Sequence, residues 1–142
     1  MSRLFVLDAS IIVKWFFVDE PQREKALEVR SHLVERPNQF MVPILFHSEL
    51  LHVLTRKSER DSVFVTEALE VILKLGIRAM PLSADGLHIA AKLCCDGLSG
   101  YDATYAALAQ ENKAKWLTAD AEAVKRIGAN ALALGQYSEK MR

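Results

Sequence analysis

Cysteine is almost absent: the 142 residues hold two, Cys94 and Cys95, and these are adjacent. Neighbouring thiols are a poor basis for a disulfide framework, and without a C-x-x-C pair a zinc cluster is not expected either. They read as half-buried thiols on a helix. Glycine and proline are scarce, at six and four, which excludes a collagen-like or linker-like chain. An excess of one charge sign is missing too. Eighteen Lys and Arg balance eighteen Asp and Glu, so any grip on a polyanion must come from a local patch. No apolar run approaches the roughly 20 residues that span a bilayer. The apolar start is cut by Asp8 and soon afterwards by Lys14, which argues against a secretory leader. A soluble cytoplasmic protein with no membrane partner is the expectation.

What is present is an ordinary globular composition, 51% hydrophobic and 25% charged, in a chain long enough to bury one core. Short apolar runs of strand character occur at Leu4-Phe5-Val6-Leu7, Phe40-Met41-Val42 closed by Pro43, and Ile77 to Leu82. Trp116-Leu117-Thr118 is a fourth and Ala131 to Leu134 a weaker fifth. Between them the spacing predicts helices. One lies over Glu20–Glu35 with a stripe of Ala26, Val29 and Leu33 and also Leu27 and Val34, and one over Ile44–Arg56 with Phe46, Leu50, Val53 and Leu54. A third covers Val63–Leu75 with Phe64, Ala68, Val71, Ile72 and Leu75, and Gly76 suits its C-cap. Ala84–Cys95 and Tyr101–Gln110 are Ala-rich and helical in character. Strands alternating with helices predict an α/β fold. The expectation is one domain over 1–142, a mostly parallel sheet of four or five strands with helices on both faces. In such sheets the strand C-termini form the edge where ligands bind.

The acids fall on that edge. Asp8 closes the first strand, Asp120 lies two residues beyond Thr118, Asp102 opens an Ala-rich helix, and Glu49 sits about a turn and a half into the helix after the second strand. Each has a plainer account. Asp8 and Asp120 suit helix N-caps, Ser99-Gly100-Tyr101-Asp102 fits a capping box, and Glu49 suits a solvated helix flank. Four separate caps have no reason to converge, whereas one sheet edge would collect all four. Convergence carries an electrostatic cost, because two carboxylates about 5 Å apart repel by roughly 3 kcal/mol at an effective dielectric near 20. A hard divalent cation removes that cost, and oxygen-only ligands select Mg2+ or Mn2+ over zinc. Such a centre suits phosphodiester hydrolysis.

Four segments, taken in order, resemble one family. They are Val6-Leu7-Asp8-Ala9-Ser10 with Val13-Lys14-Trp15-Phe16, then Ser48-Glu49-Leu50, then Tyr101-Asp102-Ala103-Thr104-Tyr105-Ala106-Ala107-Leu108-Ala109, and Leu117-Thr118-Ala119-Asp120. The set resembles the PIN-domain ribonucleases, especially the VapC-type toxins of type II toxin–antitoxin pairs, over nearly the whole chain. The resemblance implies a PIN-like nuclease domain: an endoribonuclease and hydrolase whose Asp8, Glu49, Asp102 and Asp120 bind one or two Mg2+ or Mn2+ ions. Ser10 and Thr118 match its hydroxyl positions beside the first and last acids. It also implies RNA as substrate, a homodimer, and a cognate VapB-like antitoxin as partner.

One departure is His52, where the family commonly carries Asn three residues after the Glu. Glu49 and His52 share a helix face, so His52 either lines the site or packs beneath it. Lys14 is the candidate substrate contact among the basic residues, and Glu122 is a weaker candidate fifth ligand whose plainer role is a helix-start charge. Two other functions compete with the toxin: a PIN-type RNA-processing nuclease, and a non-catalytic Mg2+-binding module such as a phosphate receiver. A receiver would want a Lys at its last strand's end, and none sits beside Leu134.

Overall fold

A computed structural model describes residues 3–142, so Met1 and Ser2 at the head of the expected domain lie outside it. The strands are β1 (Phe5–Leu7), β2 (Phe40–Pro43), β3 (Arg78–Met80), β4 (Lys115–Thr118) and β5 (Ala131–Ala133). Helices α1 (Ala9–Phe16) and α2 (Arg23–Glu35) link β1 to β2, and α3 (Phe46–Lys57) and α4 (Ser62–Leu75) link β2 to β3. Helices α5 (Ala84–Cys95) and α6 (Gly100–Glu111) lead to β4, and α7 (Ala121–Ile127) leads to β5.

All neighbouring strands are parallel, in the order β3-β2-β1-β4-β5. Alternation along each strand sorts the core. Phe5, Leu7, Phe40, Val42 and Leu117 face one side, under α1 to α4, whereas Val6, Met41 and Trp116 face the other, under α6 and α7. Helix α5 lies on α6 through Ala90, Ala103 and Ala107. The expected α/β sheet with helices on both faces is therefore what forms.

The topology singles out one place. From β1 the chain steps outward to β2 and β3, then returns to the other side of β1 for β4 and β5. The connections leaving β1 and β4 cover opposite faces, which opens a crevice beyond the ends of those two strands. The Asp8 N–H donates to the Leu117 carbonyl at 3.0 Å, tying the two strand ends together at the crevice floor.

Local chemistry sets the element ends. Asp61 and Ser83 cap α4 and α5 by accepting the Phe64 and Gly86 N–H groups, and Gly76 ends α4 with φ +64, a conformation that favours glycine. The helix expected from Glu20 begins at Arg23, because Gln22 is left-handed with φ 57. The helix expected from Ile44 begins at Phe46, so Glu49 stands in its first turn rather than a turn and a half in. Val34 and Val71, assigned to apolar stripes, are 61% and 46% exposed. Cys94 and Cys95 are both exposed, not half-buried. Among the described residues no helix is long and apolar enough to cross a membrane.

Candidate metal centre

Asp8 and Asp120 do cap helices, as the plainer account held. Asp8 Oδ2 accepts the Ser10 N–H at 3.0 Å, and Asp120 Oδ1 accepts those of Glu122 and Ala123 at 3.1 and 3.2 Å. For α6 the cap is Ser99, whose Oγ accepts the Asp102 N–H at 3.1 Å, so the Asp102 carboxylate has no capping duty there. Capping and convergence are compatible. Both α7 bonds fall on Asp120 Oδ1, leaving its other oxygen for another partner. Asp8 Oδ1 takes the indole N–H of Trp116 at 3.1 Å.

The acids feel one another. Burial raises the Asp8 carboxyl above its ordinary pKa, and the charge of Asp120 adds to the rise, against the hydrogen bonds from Ser10 and Trp116. Glu49 is raised by burial first and then by Asp8 and Asp102. Asp102 is raised by burial, then by Asp8 and Asp120. Each of the four therefore lies within electrostatic reach of at least one other, and Asp8 and Asp102 link the set into one anionic centre.

As placed, no three His, Cys, Asp or Glu side chains among the described residues stand close enough to hold a metal ion. Mg2+ nonetheless needs only one or two carboxylates directly, because it keeps several of its waters. Two observations fit a hard cation here. The donors are all carboxylate oxygens, and Glu49 Oε1 is buried with no hydrogen-bond partner. Asp8, Glu49, Asp102 and Asp120 are the residues that would hold it, directly or through water.

The remaining expected site residues divide. Ser10 Oγ accepts the Ala119 N–H at 3.2 Å, and Thr118 Oγ1, fully buried, accepts that of Asp120 at 3.2 Å. Both hydroxyls thus hold the β4–α7 corner that carries Asp120. His52 is exposed on α3, a turn beyond Glu49, and lines a cavity of about 460 Å³ with it, so it does not pack beneath the site. Glu122 shares a cavity of about 280 Å³ with Asp102 and Asp120, and it pairs with Lys125 at 3.4 Å. Lys14 is a correction: it is 5% exposed, donates to the Pro21 carbonyl at 2.7 Å and faces Glu20 at 3.6 Å. Its ammonium is committed to the α1–α2 connection, not to a substrate.

Sequence reasoning missed two supporting aromatics. Trp116 holds Asp8, and Tyr105, 1% exposed, stacks on Trp116 with centroids 6.0 Å apart. The Tyr105 hydroxyl lies near enough to Glu49 for the two to shift each other's titration, yet neither it nor Glu49 Oε1 completes a hydrogen bond. The available signal was spacing, since Tyr105 is three residues after Asp102 and so shares its helix face. Burying an unpaired hydroxyl costs about 1 kcal/mol or more. Tyr105→Phe is therefore expected to raise the melting temperature by about 3 °C in EDTA.

A parallel five-strand sheet with an acidic crevice at its switch point defines an α/β protein built to gather carboxylates. The chain belongs to the PIN-domain family, whose model matches residues 5–130, a span that includes all four acids. Solved structures share the fold. The sarcin–ricin-loop-cleaving toxin VapC20 of Mycobacterium tuberculosis is 15% identical, with 86% of this chain and 94% of that one covered at a TM-score of 0.67. A toxin–antitoxin complex from Klebsiella pneumoniae is 17% identical, covering 91% and 96% at 0.64. VapBC2 of Rickettsia felis, bound to a promoter DNA fragment, is also 17% identical, covering 92% and 96% at 0.65. No curated protein sequence matches the chain significantly.

Proposed function

We propose that the protein is a metal-dependent endoribonuclease, the toxin of a type II toxin–antitoxin pair, acting on RNA in the cytoplasm. The observation that carries this is that Asp8, Glu49 and Asp102 are each raised by burial and by the charge of another of the four acids at the switch point, with one Glu49 oxygen buried and unpartnered. A cluster of like charges is unfavourable in an apo fold and useful to a cation. Mg2+ or Mn2+, when bound, supplies charge neutralisation and water activation for phosphodiester hydrolysis near neutral pH.

The chain's own residues do the rest. Asp8, Glu49, Asp102 and Asp120 would hold the ion, directly or through water. Trp116, Ser10 and Thr118 keep Asp8 and Asp120 from swinging away. Hydrolysis adds water across a P–O bond, so a proton must leave the attacking water and one from solvent must reach the departing ribose oxygen. Glu49, with no protein donor on Oε1, is placed to take the first.

The neighbours described as toxin–antitoxin complexes support a protein antitoxin of the VapB kind as partner, and the VapC20 description supports RNA as the target. The family resemblance adds a homodimer as the assembled form. The deciding experiment incubates the purified protein with total RNA after chelation. Cleavage is expected to be absent in EDTA and to return with Mg2+ or Mn2+. Full activity in EDTA, or restoration by Zn2+ alone, would overturn the oxygen-ligand centre.

A further inference from the structure

Helix α3 carries a polar stripe that leads away from the acids. Glu49, His52 and Arg56 stand at i, i+3 and i+7, one face of the helix, and Arg56 lies about 10 Å along the axis from Glu49. Two cavities lie along that stripe and have one lining residue in common. His52 lines the cavity it shares with Glu49 and Tyr101, and also a second cavity of about 500 Å³ lined by Thr55, Arg56, Glu59 and Arg60. The two cavities adjoin at His52, so a trough runs from Glu49, past an exposed histidine, to two guanidinium groups.

The far end is built, not incidental. After α3 the Arg60 N–H donates to the Thr55 carbonyl at 2.8 Å, which folds the chain back on the helix end. That turn holds Glu59 and Arg60 in succession at φ 56 and 65, a left-handed conformation that side chains with a Cβ seldom adopt. Its effect is to set Arg60 beside Arg56 in one pocket. Lys57 between them is engaged, with Glu20 at 2.8 Å and the Phe17 ring at 5.1 Å. Among the described residues the Arg56 and Arg60 side chains form no ion pair or hydrogen bond. A cation near a helix C-terminus is favourable for the dipole alone, which accounts for Arg56 but not for the backward turn that brings Arg60 to it. Glu59 offsets one of the two charges and leaves the pocket cationic.

We infer that this trough is the path of a single RNA strand, with Arg56 and Arg60 forming a subsite for a backbone phosphate beside the scissile one. The inference rests on the ribonuclease reading and deepens it. Guanidinium groups match phosphate oxygens in pairs and carry no sequence information, so the subsite sets register, not base choice. Tyr101, 64% exposed at the acidic end, offers an aromatic face to an unpaired base. A duplex, with its bases already stacked, gains nothing from that face.

The test measures binding of a fluorescent, unstructured RNA oligonucleotide by anisotropy across a salt series. Asp102→Asn is the parent, so that RNA is bound and not cut, and Mg2+ is present. Arg56→Gln and Arg60→Gln are each expected to weaken binding about fivefold to tenfold and to flatten the salt slope by about 0.7. Arg30→Gln, on the exposed side of α2, controls for lost charge and is expected to change neither. A duplex of the same sequence is expected to compete poorly. If both trough variants behave like the control, or if they lose only antitoxin binding, the trough is not an RNA path. If neither the parent nor the wild type binds or cleaves RNA, the ribonuclease reading itself falls.

Discussion

Replacing Asp8 with Asn is expected to lower RNA cleavage by more than about a hundredfold while the protein stays folded. The activity loss follows from position. Asp8 stands at the crevice floor, within electrostatic reach of Glu49, Asp102 and Asp120, and even residues that only orient metal ligands are worth about 10–100-fold. Retention of the fold follows from two opposed effects. Asn caps a helix about as well as Asp, but its single amide oxygen cannot serve both the Ser10 N–H and the Trp116 indole as the two carboxylate oxygens do. That lost bond costs about 1 kcal/mol. Against it, the substitution removes a charge that burial and Asp120 already disfavour. The two act in opposite directions, and neither is large enough to unfold the domain. Initial rates on RNA, read beside thermal melting followed by circular dichroism, check both halves; wild-type turnover in a folded Asp8→Asn protein would remove the acid centre from the mechanism.

How much of this was legible in the sequence depended on where each residue's partners lie. The strands were legible because they are short apolar runs stopped by residues that cannot continue them, Asp8 after β1 and Pro43 within the end of β2. Their order was not. Nothing local to Phe5–Leu7 says that β2 lies on one side and β4 on the other, since lateral pairing is decided by the whole set of crossovers. The acids were legible because each sits at or near the start of a helix beyond a strand or connection, where the fold gathers such positions. Lys14 misled because nearness in sequence to Asp8 was taken for nearness in space. Six residues along a helix leave a side chain about 120° round the axis from its start, and Lys14 accordingly meets Pro21 and Glu20. Tyr105 was hidden because α6 is buried on most sides, so its ring looked like another apolar position. The buried pair of His32 with Tyr137 and Gln39, at 2.9 and 2.6 Å, escaped for a related reason: its members are 105 and seven residues apart and share no motif.

A divalent cation is expected to stabilise the protein most near neutral pH, with the effect fading in acid. Asp8, Glu49 and Asp102 all have pKa values raised in the folded chain, by burial foremost. Folding therefore takes up protons in the window between ordinary carboxylate values, about 4, and the raised ones. Across that window the metal-free protein becomes more stable as pH falls, and that stability is lost as pH rises through the folded values. Near neutrality the charges repel at full strength, and an ion at a hundred times its Kd adds about 2.7 kcal/mol. Two groups act in the opposite sense. Burial holds His32 below its ordinary pKa, so its contribution is lost as pH falls below about 6.5, and Glu20, held low chiefly by Lys57, loses its contribution in stronger acid. The wild-type curve mixes all of these, but the difference between wild type and Glu49→Gln does not, because His32 and Glu20 are common to both. In EDTA the variant is expected to melt above the wild type near neutral pH, with the gap closing toward pH of about 4. Adding Mg2+ is expected to reverse the order, since only the wild type keeps all four ligands. Parallel curves in EDTA would mean that Glu49 does not share its field with Asp8 and Asp102, and the crevice would then be a row of helix caps with no common ion.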